Sequence, residues 1–378
     1  MKITHVSPFF HPVIGGWEEA IMNKSIECIK MGHELEVLTC NEFHDRGIIP
    51  QAEETVNGVV VKRFPVKFHL SNFYRVWPGF LKHLGKSEVL HLHNFRHYHV
   101  GAALAHKGKG KRKAVLRAGS PFHPKSPGLA LARWLYDATL ARKTFAQLDA
   151  LLAYHETEKQ RFMALGCPEE KIHVIPFGVH EMFFGKGKGE RFREENGLQG
   201  KVVLNIGRLH YYKEPETLIR AAACLEDKEA KVVFVGGGEE TYVAGLKRLA
   251  AQLGVQEQVR FLPPTQDKEK LRDAYAAADV FVLPSVYEPF GIVLLEAMAQ
   301  GKPVLSTPYD GPKHILDGSC GAFFEPRDHE RLASKLGEWL ADDKLRKKLG
   351  NTGREKARAY AWDKLAKQVV EVYEEVLG

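Results

Sequence analysis

At 378 residues the chain is too long for one ordinary core and fits two domains of roughly 150–200 residues each. Its 44% hydrophobic and 27% charged composition excludes a disordered or fibrous chain, and no stretch approaches the ~18 uncharged apolar residues of a membrane span. Net charge is +7, and between Lys62 and Lys143 there are 17 lysines and arginines against only Glu88 and Asp137. That local excess of +15 leaves −8 on the rest of the chain. Phe73, Tyr74, Trp77, Phe80 and Leu81 lie among these charges. Basic and aromatic residues together suit an interfacial patch, so a peripheral contact with an anionic membrane surface is expected. The bland alternative is a solvated face. No nucleic-acid module is present and no nucleic-acid partner is expected. Five scattered cysteines, never spaced C-x-x-C, argue against a disulfide framework or a zinc site. With no basic segment leading into an apolar one at the N-terminus, no signal peptide is expected, and the location expected is cytoplasmic, at most peripheral on the inner membrane face.

Taken in order, short apolar runs alternate with amphipathic stretches: ITHVS, LEVLT, VVVKRF, EVLHLH, AVLRA, ALLAY and IHVIPF. The pattern restarts after the glycine- and charge-rich GKGKGERFREENGLQGK with VVLNIG, KVVFVG, VRFL, VFVLP, PVLST and GAFFE. Such alternation predicts an α/β protein with parallel sheets covered by helices on both faces. The restart predicts two such units, residues 1–180 and 181–358, with the helical tail 359–378 packing back toward the first. Ligands of open α/β sheets bind beyond the carboxyl ends of strands, so residues just after strands are the candidates.

The first of these segments is HPVIGGWEEAI, where Gly15 and Gly16 precede a helix starting near Trp17. A glycine turn onto a helix N-terminus suits phosphate. It is not G-x-G-x-x-G, which weakens a dehydrogenase reading. In HLHNFRHYH, His91 and His93 would share a strand face, and a helical turn would bring His97 to His93. No cysteine is near and His99 is out of phase, so packing or cleft lining is preferred and no metal is expected. In NIGRLHYYKEPETLIRAAA, Arg208 and Lys213 follow a strand, and two fixed cations would neutralise a diphosphate without a metal, for which no D-x-D is present. In PSVYEPFGIVLLEAMAQGKPVLST, a buried strand ends near Pro284 and a helix begins near Gly291. The N–H groups of Phe290, Gly291 and Ile292 then face outward as an anion or sugar-oxygen site. Glu288 precedes this helix, and Glu296 within it is its only charge from Gly291 to Ala299. Ribose hydroxyls would satisfy such a carboxylate; so would solvent.

The order G-G-x-E, G-R-L-x-x-x-K, E-P-F-G-x-x-x-x-E resembles glycosyltransferase family 4 of the GT-B fold, in which two Rossmann-like domains face each other across a deep cleft. The resemblance extends to M-G-H-E, to I-P-x-G-V at Ile175 to Val179 and to a final helix with Trp362. It implies retaining transfer from a nucleotide-diphosphate sugar without a metal or other cofactor. By that resemblance Arg208 and Lys213 hold the diphosphate and Gly16 approaches it. Glu296 takes the ribose hydroxyls, and Glu288 with the backbone at Phe290 and Gly291 takes the donor sugar. The acceptor expected is lipid-linked or anionic. The usual donor-side histidine has no clean counterpart, His123 being the nearest. Glu214, Phe177 and His155 stand where the family commonly has glycine, asparagine and serine. The alternatives are an epimerase or phosphorylase on the same fold, or a non-catalytic nucleotide-sugar-binding protein.

Overall fold

The computed structural model describes residues 1–13, 15–69, 74–108, 112–119, 122 and 127–378. His123 and Phe73 lie outside them. The chain forms two compact units, Met1–Phe177 with Trp362–Gly378, and Gly178–Ala361. These divisions fall three residues from the expected ones at 180 and 358.

In the first unit the strands are β1 (Lys2–Val6), β2 (Glu34–Cys40), β3 (Glu53–Val56), β4 (Val59–Phe64), β5 (Phe68–His69), β6 (Arg75–Val76), β7 (Val89–His93), β8 (Lys113–Arg117), β9 (Ala150–Ala153) and β10 (Ile172–Val174). Eight of them make one sheet in the order β10-β9-β8-β7-β1-β2-β4-β3, while β5 and β6 pair separately. Every residue of β7 and β9 is buried, as expected of parallel strands covered on both faces. The sheet is not wholly parallel: β3 runs antiparallel to β4 at its edge. Its sequence EETV is too polar to read as a buried run, and the hairpin is set by Asn57 and Gly58, both with positive φ. The C-terminal helix Trp362–Leu377 belongs to this unit and buries Tyr373.

In the second unit β11 (Val202–Ile206), β12 (Lys231–Val235), β13 (Val259–Leu262), β14 (Val280–Leu283), β15 (Val304–Ser306) and β16 (Gly321–Phe323) form an all-parallel sheet in the order β13-β12-β11-β14-β15-β16. Renumbered within the unit this is 3-2-1-4-5-6, the doubly wound order, whose strand sequence reverses between β11 and β14. The first sheet reverses between β1 and β7 in the same way. Each unit has its own apolar core, with Leu92, Trp77 and Phe145 in one and Leu218, Phe234 and Trp339 in the other.

That first core corrects the reading of the basic stretch. Trp77 and Phe80 are fully buried and Leu81 packs against the core, so they form no interfacial patch. Part of the positive charge is matched by carboxylates outside that stretch: Lys62 with Glu36, Arg63 with Glu54, Arg75 with Glu42, and Lys107 and Lys113 with Asp149. A sum over a sequence window cannot see those partners.

Candidate active site

In an open parallel sheet the crevice lies outside the carboxyl ends of the strands where their order reverses. In the second unit those ends are β11 and β14, and the loops that leave them carry Arg208 and Lys213 on one side and Glu288 and Gly291 on the other. After β11 the chain runs through Gly207 (φ 146) into a single 3-10 turn, Tyr211–Lys213. That turn is pinned to the second loop by its backbone, since the Tyr212 carbonyl accepts from the N–H of Val286 at 2.9 Å and of Tyr287 at 3.3 Å. The docking brings Lys213 Nζ to 2.6 Å from Glu288 Oε2, a pair separated by 75 residues. Glu288 is buried and Lys213 partly so. Arg208 is exposed and makes no ion pair among the described residues.

The helix Ile292–Ala299 starts one residue beyond the expected place, with Gly291 as its N-cap in the left-handed region (φ 97, ψ 50). A side chain there would be strained, and its Cβ would sit 3.1 Å from Leu294 Cδ1. No acidic residue lies in the first turn, so the helix itself sets no carboxylate against the partial positive charge of that end. Phe290 is buried beneath the loop. Gly311 supports it from below: a Cβ at Gly311 would come within 2.1 Å of Phe290 Cα, and its N–H donates to the Glu288 carbonyl at 3.2 Å. Glu296 lies half-buried further along the helix and accepts from the Tyr275 hydroxyl at 2.6 Å. Burial, then the neighbouring carboxylate, pushes that tyrosine well above its usual range, so it acts as a neutral donor. Glu296 is thus neither simply solvated nor without a partner.

Three residues of this site escaped the sequence. Tyr275, Gly311 and Arg327 reach it from other elements, with no local signal. Arg327 Nε bonds Glu214 Oε1 at 2.8 Å, and Glu214 itself is left-handed at φ 49, ψ 48. That backbone explains why glycine suits the position following Lys213.

In the first unit, Gly15 is the extended N-cap (φ −179) of helix Gly16–Lys30, which begins just after β1 at that sheet's own reversal point. Neither its φ nor its cap geometry demands glycine. His155 fills the place of the common serine by capping helix Glu156–Ala164, its Nδ1 accepting from Glu158 N–H at 3.2 Å. Phe177 is buried against Tyr154 at 4.3 Å between ring centroids. His91 and His93 share a face of β7 as expected, but His97 does not join His93; it stacks with Tyr74 at 6.0 Å. The third member is His5 from β1, which no local spacing reveals, its Nδ1 lying 2.8 Å from His93 Nε2.

Comparison with known proteins bears on the family and the fold. Residues 15–178 match the family described as glycosyl transferase 4-like domain, and residues 188–356 match glycosyl transferases group 1. An uncharacterized glycosyltransferase of Methanocaldococcus jannaschii is 30% identical over 99% of this chain and 98% of its own. A D-inositol 3-phosphate glycosyltransferase of Nocardia farcinica is 27% identical over 99% of this chain and 88% of its own. Among solved structures, Anabaena HepE in complex with UDP superposes with a TM-score of 0.79 at 20% identity, covering 99% of this chain and 100% of that one. WaaG, a glycosyltransferase involved in lipopolysaccharide biosynthesis, gives 0.72 at 21% identity, covering 98% and 99%.

Proposed function

Because the chain belongs to glycosyltransferase family 4 with the GT-B fold, we propose that its second unit holds a nucleotide-diphosphate sugar in the crevice after β11 and β14 and transfers the sugar with retention to an anionic or lipid-linked acceptor. The observation that carries this is the Lys213–Glu288 pair at 2.6 Å, set before a left-handed glycine cap at the point where the strand order reverses. An ammonium held there by a carboxylate is ready to exchange partners. A diphosphate would take Lys213 together with exposed Arg208, and Glu288 would turn to the hydroxyls of the donor sugar.

Charge then drives the chemistry. As the sugar–phosphate bond loosens, negative charge grows on the leaving diphosphate. Arg208, Lys213 and the N–H groups of Phe290, Gly291 and Ile292 stabilise it there. Two cations already match about two negative charges, so no metal is required. The acceptor hydroxyl attacks from the face the phosphate is leaving, and a phosphate oxygen takes its proton. Glu288 positions the sugar and forms no covalent bond to it. Glu296, with Tyr275 as its neutral donor, binds the ribose hydroxyls. Gly15, Gly16 and His123 enter this reading only through the family resemblance.

UDP-glucose is the first donor to test, since Anabaena HepE binds UDP-glucose. D-inositol 3-phosphate is the first soluble acceptor, being named for the Nocardia relative. Release of free nucleotide from a donor panel, measured with EDTA present, tests the reading. Arg208→Ala is expected to lower turnover by the equivalent of about 2–4 kcal/mol, as for loss of one oxyanion donor. Weaker donor binding with unchanged turnover would show that Arg208 does not stabilise the transition state. An anomeric product spectrum showing inversion would refute the front-face scheme.

Membrane contact finds support on a different surface from the aromatic stretch near Trp77. Helix Pro127–Tyr136 exposes Leu129, Leu131, Trp134 and Leu135, with Arg133 among them. Exposed apolar residues with an arginine on the same helix fit a bilayer interface. Co-sedimentation with phosphatidylserine vesicles is expected to weaken with salt and with Trp134→Glu. Unchanged binding in that variant would exclude this helix.

A further inference from the structure

Beneath helix Gly16–Lys30 the first unit buries a layer of basic side chains that the transfer chemistry leaves unused. His5 of β1, His91 and His93 of β7, Arg117 of β8 and Lys24 of the helix are all buried. The rings of His91 and His93 stack at 4.5 Å and 5°, and His5 packs on both at 4.8 and 5.1 Å. Lys24 Nζ lies 3.4 Å from His91 Nδ1, which also meets the Tyr373 hydroxyl. Arg117 Nη1 donates to the Ile175 carbonyl at 2.6 Å, and its guanidinium sits over the Tyr154 ring. Among the described residues, no carboxylate forms an ion pair with Lys24 or Arg117. A buried cation without a counter-charge is expensive, and such groups are normally paired.

The same place holds unsatisfied groups. Trp17 Nε1 and His93 Nδ1 are buried with no hydrogen-bond partner. A small, partly open cavity of about 10 Å³ is lined by Trp17, Lys24, His93, Arg117, Phe177 and Trp362. Such a space suits one occupant about the size of a water molecule.

Charge decides what that occupant is. Ligand atoms of His5, His91 and His93 all lie within 4.8 Å of one another, close enough for a metal ion. Yet Lys24 and Arg117 both repel a cation, and the hydrogen bond between His5 Nδ1 and His93 Nε2 uses two of the ligating nitrogens. An anion is attracted by both cations and leaves that hydrogen bond in place. We propose that the cavity binds a single small monovalent anion of chloride size, which accepts hydrogen bonds from Trp17 Nε1 and His93 Nδ1 and is held by the charges of Lys24 and Arg117. With the anion present, His93 keeps its proton on Nδ1 and His5 donates to its Nε2. The solvent ion then places a negative charge directly beside Lys24 and Arg117, whereas Glu158 acts on Arg117 without forming an ion pair with it. Burial, and next the nearby Arg117, push the Lys24 ammonium well below the usual lysine range, and an anion opposes both effects.

The test compares melting temperatures of the full chain in sodium chloride, bromide and gluconate at equal ionic strength. It is joined by anomalous diffraction at the bromine edge from crystals grown in bromide. Chloride and bromide are expected to raise the melting temperature over gluconate by several degrees, because a ligand of the folded state alone stabilises it. A bromide peak is expected between Trp17 and Arg117. Lys24→Met is expected to lose the halide increment. Trp17→Phe keeps the ring, loses only the N–H donor and is expected to reduce the increment, so it carries the test if Lys24→Met fails to fold. Equal melting in halide and gluconate with no anomalous peak overturns the proposal, as does a water in the cavity. Stabilisation by zinc in place of halide overturns it in favour of a metal. None of these readouts depends on transfer activity.

Discussion

Glu288 and Lys213 are the residues on which the proposed donor site turns, and their ion pair is nearly enclosed on the carboxylate side. Removing one partner of such a pair leaves the other desolvated and unmatched, which costs more than the pair contributes. Lys213→Ala is therefore expected to lower both stability and donor affinity. Glu288→Gln, which leaves an oxygen for Lys213, is expected to keep the fold and UDP affinity but lose about 10²–10³ in turnover. Calorimetry and kinetics together separate the two, and full turnover in the glutamine variant would remove Glu288 from the mechanism. The neighbouring Glu214 offers a second measurement. Its left-handed backbone costs roughly 1–2 kcal/mol for a residue with a Cβ. Its bond to Arg327, whose side chain is 73% exposed, returns at most about 1 kcal/mol. Glu214→Gly is therefore expected to be neutral or slightly stabilising by thermal melting. A marked loss would mean that the Arg327 link holds the Lys213 turn in place.

At the level of elements, the loop from Pro284 to Gly291 and the helix after it act together. The helix begins at Ile292 with the left-handed Gly291 as its cap, and its first N–H groups have no partner within the helix. Two glycines make this possible for different reasons, Gly291 through its backbone angle and Gly311 through its contact with Phe290. Gly291→Ala is expected to cost about 1–2 kcal/mol in chemical denaturation. Gly311→Ala is expected to cost about 1–3 kcal/mol, since its Cβ forces the Phe290 backbone aside. Both are expected to weaken donor binding. Gly311→Ala with normal binding would show that the loop tolerates displacement.

Across the molecule, the histidines of the first unit set a pH dependence. Burial holds His99 at about 3, and keeps His5, His91 and His93 well below their usual range. The folded state binds these groups neutral, while the unfolded chain protonates them near pH 6.5. Unfolding thus takes up protons below that pH, so the stability they contribute is present above about 6.5 and is lost as pH falls. For His99, the loss at pH 5 is about 2 kcal/mol. Denaturant midpoints of the first unit are expected to fall between pH 7 and 5, and His99→Asn is expected to reduce the slope by about one proton. A midpoint flat over that range would mean the histidines are already charged in the folded state.

By itself the sequence determined the alternation of strands and helices, and it pointed to the segments after strands as candidates for a site, because buried parallel strands and glycine-bounded helix starts are local patterns. Each apolar run named in the sequence became a strand, and the loops carrying Arg208, Lys213, Glu288 and Gly291 proved to leave the strands where the second sheet reverses. What depended on partners distant along the chain was decided only by the tertiary structure: the polar edge strand β3, the burial of Trp77 and Phe80, the neutralisation of Lys62 and Arg75, the Tyr275 donor to Glu296, and the meeting of His5 with His91 and His93. Pattern within a segment follows from the geometry of one helix or strand, whereas pairing across segments is fixed only when the sheet brings residues dozens of positions apart within a few ångströms.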